Sequence, residues 1–317
     1  YVWAEDSIKY DRHWMVPIAR DLYQNNPVYI AIVDRLVTEV IGEDGVELKP
    51  STGKAKIDAR IKANWLRWCE FADYMGEDNF TELERRAFTE VVNVGEVLFQ
   101  KVREERKLQM IETERIKSIK YDVTGAPESF EITVKGKDPM ILPAADCIFL
   151  CLNKNRKTQG RGTGLLWSCF DVLQMILHIL RSTAQSWGVN AKLAFAIETA
   201  PNLGITSFNQ SDSDANAIET DDRIVDMPNG MIVRLVKGEK IAPISHDGVP
   251  GANLYSNVLT FLRVVSSVCG FDAATVVFAD FEKTNYSSSK SAVISLSKTV
   301  RRWQGWLKRR FYNRVYR

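Results

Sequence analysis

The pair with the clearest chemical spacing is Tyr286 and Lys290, in the run YSSSKSAVISLSKTV. On a helix, four residues put the Lys ammonium one turn from the Tyr hydroxyl. That lowers the Tyr pKa and suits proton transfer. Ser287 and Lys290, three apart, could pair a nucleophile with a base. Ser245-His246-Asp247 holds the residue types of an acyl-transfer triad, yet adjacent residues cannot converge on one substrate atom. Gly160, Gly162 and Gly164 precede an apolar run, where backbone N–H groups could cradle a phosphate at a helix start. His13, His178 and His246 are the only histidines, so no His-based metal site is expected. Cys69, Cys147, Cys151, Cys169 and Cys269 are odd in number and contain no C-x-x-C. Buried free thiols are expected, with neither a disulfide framework nor a zinc ribbon.

Each enzymatic reading requires companions. The Tyr-x-x-x-Lys run is similar to the catalytic helix of short-chain dehydrogenases. That resemblance implies an early nucleotide-binding glycine motif after a first strand, and a Ser about a dozen residues before the Tyr. The glycine cluster instead lies in mid-chain, position 273 is Ala273, and no β-α alternation is visible. The Ser-x-x-Lys pair has no partner motif, and the glycine loop lacks the Lys-Ser/Thr of a P-loop. An oxidoreductase using Tyr286 and Lys290 stays as the alternative; no catalytic residue, cofactor or metal is assigned.

Composition is that of an ordinary globular chain: 317 residues, 45% hydrophobic, 26% charged, net +2. It excludes a collagen, a disulfide-stapled miniprotein and a mainly disordered chain, and length favours about two domains. The +2 conceals segregation. Residues 283–317 hold ten basic and no acidic side chains, so residues 1–282 carry −8, from 32 basic against 40 acidic. Within the body, Asn209–Asp226 is strongly acidic, with Asp212, Asp214, Glu219, Asp221 and Asp222. The most apolar stretch, Gly164–Trp187, is interrupted by Asp171, His178 and Arg181, so no membrane span is expected. Tyr1 and the patterned end at Arg317 suggest a piece of a longer protein.

Periodicity then places these residues. Helices are expected over Ile8–Tyr23, Val28–Ile41 (capped by Asn26, with Pro27 first), Asp58–Met75 and Asn79–Val94. Strands follow at Val97–Val102, Leu108–Ile111, Phe130–Val134 and Cys147–Leu152, forming one small antiparallel sheet. The polar loop 153–163 leads into a helix over Gly164–Trp187. Its polar positions Ser168, Asp171, Gln174, His178, Arg181 and Gln185 share one face. A strand at Ala191–Ile197, short strands around Ile224–Asp226 and Met231–Leu235, a helix at Asn253–Val268, an extended Phe271–Phe281 and a final helix Ser287–Tyr316 complete the chain. Helices first and a small sheet after them give an α+β class.

The segment Leu142–Ile197, with its basic Gln/Arg-Gly loop and long helix, resembles the lambda-like bacteriophage portal proteins. Asn25-Asn26-Pro27 with its helix ending at Gly42, Gly95-Glu96 before a strand, and Gly270-Phe271 followed by Asn285-Tyr286-Ser287-Ser288-Ser289-Lys290 are similar to that family's other elements, in the same order. Phe149 and Leu150 stand where the family usually has His, and Lys290 where it has Arg. The resemblance implies a portal fold with a helical stem, a small wing sheet and a long C-terminal helix. It implies a wing over 1–163, and stem helices over 164–270 with a clip at about 190–250. Beyond them come a tunnel loop and a helix over 271–317 that leads towards a crown. The implied function is a dodecameric ring at one capsid vertex, a channel for packaged and ejected double-stranded DNA. Its partners would be the terminase large subunit, the major capsid protein and head-tail adaptor proteins, in the virion and, during assembly, the host cytoplasm. Channel candidates are Asp171, Glu282, Lys283, Thr284, Asn285 and Tyr286; clip candidates are the five acidic residues named above. Lys290, Lys298, Arg301, Arg302, Lys308, Arg309 and Arg310, interleaved with Trp303, Trp306, Phe311, Tyr312 and Tyr316, would meet DNA or a neighbouring subunit.

Overall fold

Asn26 ends one helix and starts the next. Its side chain accepts from the N–H groups of Val28 and Tyr29, both at 3.0 Å, and Pro27 occupies the first helical position. So α1 (Ala4–Asn25) and α2 (Pro27–Ile41) are joined by one residue. After α3 (Ala55–Glu70), Asn79 and Glu82 form a reciprocal capping box that opens α4 (Phe80–Val94). The computed structural model describes residues 4–152, 154, 159–192, 195–199, 224–227, 230–233, 239–243, 251–278 and 286–316.

The strands form two three-stranded antiparallel sheets. One has the order β2 (Lys107–Ile111), β1 (Glu96–Val102), β6 (Cys147–Cys151); the other runs β3 (Ile116–Tyr121), β4 (Pro127–Ile132), β5 (Met140–Pro143). The period of two divides β1 and β6 between two cores. Val97, Phe99, Ile148 and Leu150 face the helices, while Leu98, Cys147 and Phe149 face the second sheet with Ile116, Phe130 and Ile132. Phe149 and Leu150, the departures from the family pattern, therefore fill opposite cores.

The rest of the chain is α5 (Phe170–Lys192), β7 (Phe195–Thr199), β8 (Ile224–Met227), β9 (Gly230–Val233), β10 (Glu239–Pro243), α6 (Gly251–Cys269), α7 (Ala273–Val277), α8 (Tyr286–Leu307), a π turn at Lys308–Tyr312 and α9 (Asn313–Val315). Two compact units result: Tyr1–Ile176 with Val258–Arg317, and Leu177–Asn257. The second contains the antiparallel pairs β7–β10 and β8–β9. The first holds both cores. Its five cysteines are free thiols, with Cys147, Cys169 and Cys269 buried and Cys69 and Cys151 half-buried.

Several expectations are corrected. One sheet becomes two, because β3 and β5 carry charged and proline-flanked text that hides their alternation. α3 stops at Glu70, not Met75. Phe71 caps it and is 69% exposed, and the chain then turns to pair Asp73 with Leu108. A 3-10 turn, Trp167–Cys169, delays α5 to Phe170, and α5 runs through Lys192, into the expected strand. Phe271–Phe281 is not extended throughout: Asp272 caps the short α7, accepting from the Ala274 N–H at 3.2 Å.

Candidate functional site

The two glycine motifs meet each other. Gly95, left-handed at φ 91°, ends α4, and Glu96 follows as the first residue of β1. A side chain on Gly162 would place its Cβ 2.1 Å from the Gly95 carbonyl oxygen, and one on Gly164 would sit 2.2 Å from the Asn93 carbonyl oxygen. The loop that resembled a phosphate cradle is thus packed against protein, and its glycines permit close backbone approach.

Glu96 is the centre of this junction and is fully buried. One oxygen accepts from Thr113 Oγ1 at 2.6 Å and Arg161 Nε at 2.7 Å, and lies 3.0 Å from Arg12 Nη2. The other accepts from the Gly162 N–H at 2.8 Å. Arg12 Nη1 also donates to the carbonyls of Val94, at 3.0 Å, and Gly162. Burial raises the Glu96 carboxyl, but the charges of Arg161 and Arg12 with the Arg161 and Thr113 hydrogen bonds outweigh it, and the pKa lies below the ordinary value. A buried carboxylate so surrounded ties α1, β1 and the loop together. Gly95-Glu96 and the Arg-Gly loop were visible in the sequence; Arg12 and Thr113, far from both, carried no signal.

The basic C-terminal segment is organised differently. Leu296, Trp303, Leu307 and Phe311, at spacings of four or seven, are buried. Trp303 meets Phe88 edge-on at 5.3 Å, and Phe311 stacks on Phe80 at 5.8 Å. The π turn at Lys308–Tyr312 keeps Phe311 inward while Lys308, Arg309 and Arg310 stay out. Lys290, Lys298, Arg301 and Arg302 are exposed too, and none of these seven forms an ion pair with another described residue. Arg302 lies over the Trp303 ring at 5.7 Å.

On α5 all six polar-face positions, Ser168 (just ahead of the helix) and Asp171 to Gln185, are exposed. Glu282, Lys283, Thr284 and Asn285 lie outside the described residues, as do Asp212, Asp214, Glu219, Asp221 and Asp222; Tyr286 begins α8. Of the channel candidates the described residues include Asp171 and Tyr286, and of the clip candidates none.

With this geometry in hand, comparison with known proteins is decisive. The family "Phage portal protein, lambda family" matches residues 3–304. The chain belongs to the lambda family of phage portal proteins. The portal chain shares its fold with a chain of the virion of a native gene transfer agent particle, at TM-score 0.57 and 13% identity, covering 88% of this chain and 74% of that one. A chain in the neck of a native gene transfer agent particle computed with C12 symmetry is similar at TM-score 0.57 and 14% identity, with coverage of 88% and 74%. No curated protein sequence matches. The oxidoreductase alternative has no support. All sheets among the described residues are antiparallel, and Ala273 opens a short helix where a catalytic Ser would stand on a strand. No helix among the described residues is long and apolar enough to cross a membrane.

Proposed function

We propose that twelve copies of this portal protein close into a ring at one capsid vertex, through which double-stranded DNA is packaged and ejected. The family match over residues 3–304 carries this reading. A further observation supports it: the long helices leave large apolar side chains in water. Met175, Leu180 and Trp187 on α5, Val264 on α6, and Val293 and Ile294 on α8 are each 39–58% exposed. Such surfaces need neighbours, and identical subunits meeting head-to-tail close into a ring when the rotation closes. The similar chain in a neck computed with C12 symmetry supports twelve.

In this ring residues 1–163 serve as the wing, α5 and α6 as the stem, and about 190–250 as the clip. The acidic clip residues dock the terminase large subunit and later the head-tail adaptor proteins, while the wing meets the major capsid protein. DNA must slide, so its contacts are weak and salt-dependent. Asp171 and the tunnel-loop residues Glu282 to Tyr286 line the path, with Asp171 repelling phosphate. The chain acts without catalysis of its own, in the virion and, before that, in the host cytoplasm. Negative-stain images of the purified chain test this: rings with a central hole are expected, and small solid particles would refute it. Asp171→Lys is expected to slow packaging.

A further inference from the structure

A second surface on the C-terminal helix has a different chemistry from its exposed basic side. A cavity of about 590 Å³ opens between the end of α2, the segment after it, α3 and the C-terminal helix. That size lies in the range of small-ligand sites. Three aromatic rings line it, Trp65, Tyr312 and Tyr316, with the Trp65 and Tyr316 centroids 6.3 Å apart. Lys49, Lys308 and Asn313 bring polar groups to the same space.

The lining carries one more cation than anion, Lys49 and Lys308 against Glu47. Glu47 lies 3.2 Å from Lys49 and 2.9 Å from Lys62, so one carboxylate serves two lysines. Lys308 has no ion-pair partner among the described residues. Arg301 stands seven residues earlier on the same helical face, about 10.5 Å along the axis, and continues the basic track away from the cavity. Aromatic faces beside a track of cations suit a chain of flat rings linked by anions. An amide such as Asn313, donor and acceptor at once, can meet a base edge.

We propose that this cavity takes an unpaired nucleobase of single-stranded DNA, with the adjoining phosphates on Lys308, Lys49 and Arg301. Duplex DNA keeps its bases stacked inside and cannot enter. The site is therefore distinct from a channel that lets duplex slide, and its test is separate from that of the ring.

The test uses a fluorescein-labelled 16-nucleotide oligothymidine, the full chain as purified, and anisotropy across a salt series. Tyr316→Ala removes an exposed ring and is expected to weaken binding about ten-fold with the salt slope unchanged. Lys308→Glu is expected to weaken binding and to lower the slope by about one. A duplex of equal length should be insensitive to Tyr316→Ala. The proposal is overturned if oligothymidine does not bind, if Tyr316→Ala leaves its affinity intact, or if the duplex loses as much. It is equally overturned if a peptide of alternating Glu and Phe binds in a Tyr316-dependent way and oligothymidine does not, which would make the cavity a peptide site.

Discussion

Arg12 and Arg161 on one side, and Arg301 to Arg310 on the other, are the same residue types put to opposite uses. The first pair is buried on Glu96 and holds three elements together. The second group lies in water without an ion pair among the described residues, carried on a helix whose other face is aromatic core. The difference comes from context. A carboxylate inside the fold draws guanidinium groups in, whereas a segment with no acidic residue has nothing local to pair with. Substitutions in the first region should act on folding, and those in the second on what the chain touches.

The largest effect is expected at Glu96. Glu96→Ala leaves two buried guanidinium groups without their shared carboxylate and should cost about 3–5 kcal/mol in urea unfolding. A loss under about 1 kcal/mol would mean that the junction is ornamental. Next comes Gly162→Ala, whose Cβ meets the Gly95 carbonyl at 2.1 Å; overpacking there should cost about 1–3 kcal/mol, measured the same way.

Glu84 sharpens the contrast, since it is a buried carboxyl without an arginine. It accepts from the Val46 N–H at 3.1 Å, and its other oxygen has no hydrogen-bond partner among the described residues. Burial raises its pKa from 4.5 to about 8, with the Val46 bond and the Arg85 charge opposing. The folded form thus holds its proton more tightly than the unfolded one. The associated stability is complete below about pH 4.5 and disappears as pH climbs through about 8. Melting temperature should fall across that window, and Glu84→Gln should flatten the fall. An unchanged profile would remove Glu84 from the account. Glu96, whose pKa is lowered, acts with the opposite sign and loses its contribution as pH falls.

The smallest effect on stability is expected on α8. Arg301→Glu or Arg302→Glu should change unfolding free energy by no more than about 0.5 kcal/mol, because both side chains are exposed and neither forms an ion pair among the described residues. A large loss there would erase the distinction between the two regions.

How far the sequence could be read follows the same division. The helix ends around Asn26, Gly42, Asn79 and Gly95 were legible, because caps are local chemistry. So was the polar stripe from Ser168 to Gln185, a matter of period. β3 and β5 were not, since their pairing is decided by Phe130 and Leu142 packing under a second sheet. The motif Gly95-Glu96 was visible, but its reason was not: the partners sit 84 residues earlier at Arg12 and 65 later at Arg161, and only the fold joins them. For α8 the sequence reading put the basic residues and their interleaved aromatics against DNA or a neighbouring subunit. Trp303 and Phe311 pack inside their own subunit, leaving the charges for others.

The proposed ring requires that the exposed apolar side chains of α5, α6 and α8 be covered by other copies. Mass photometry of the purified full chain tests it directly. Twelve copies of a 36.0 kDa chain predict a single species near about 430 kDa. A stable monomer or dimer at the same concentration, with those apolar residues still in water, would contradict it.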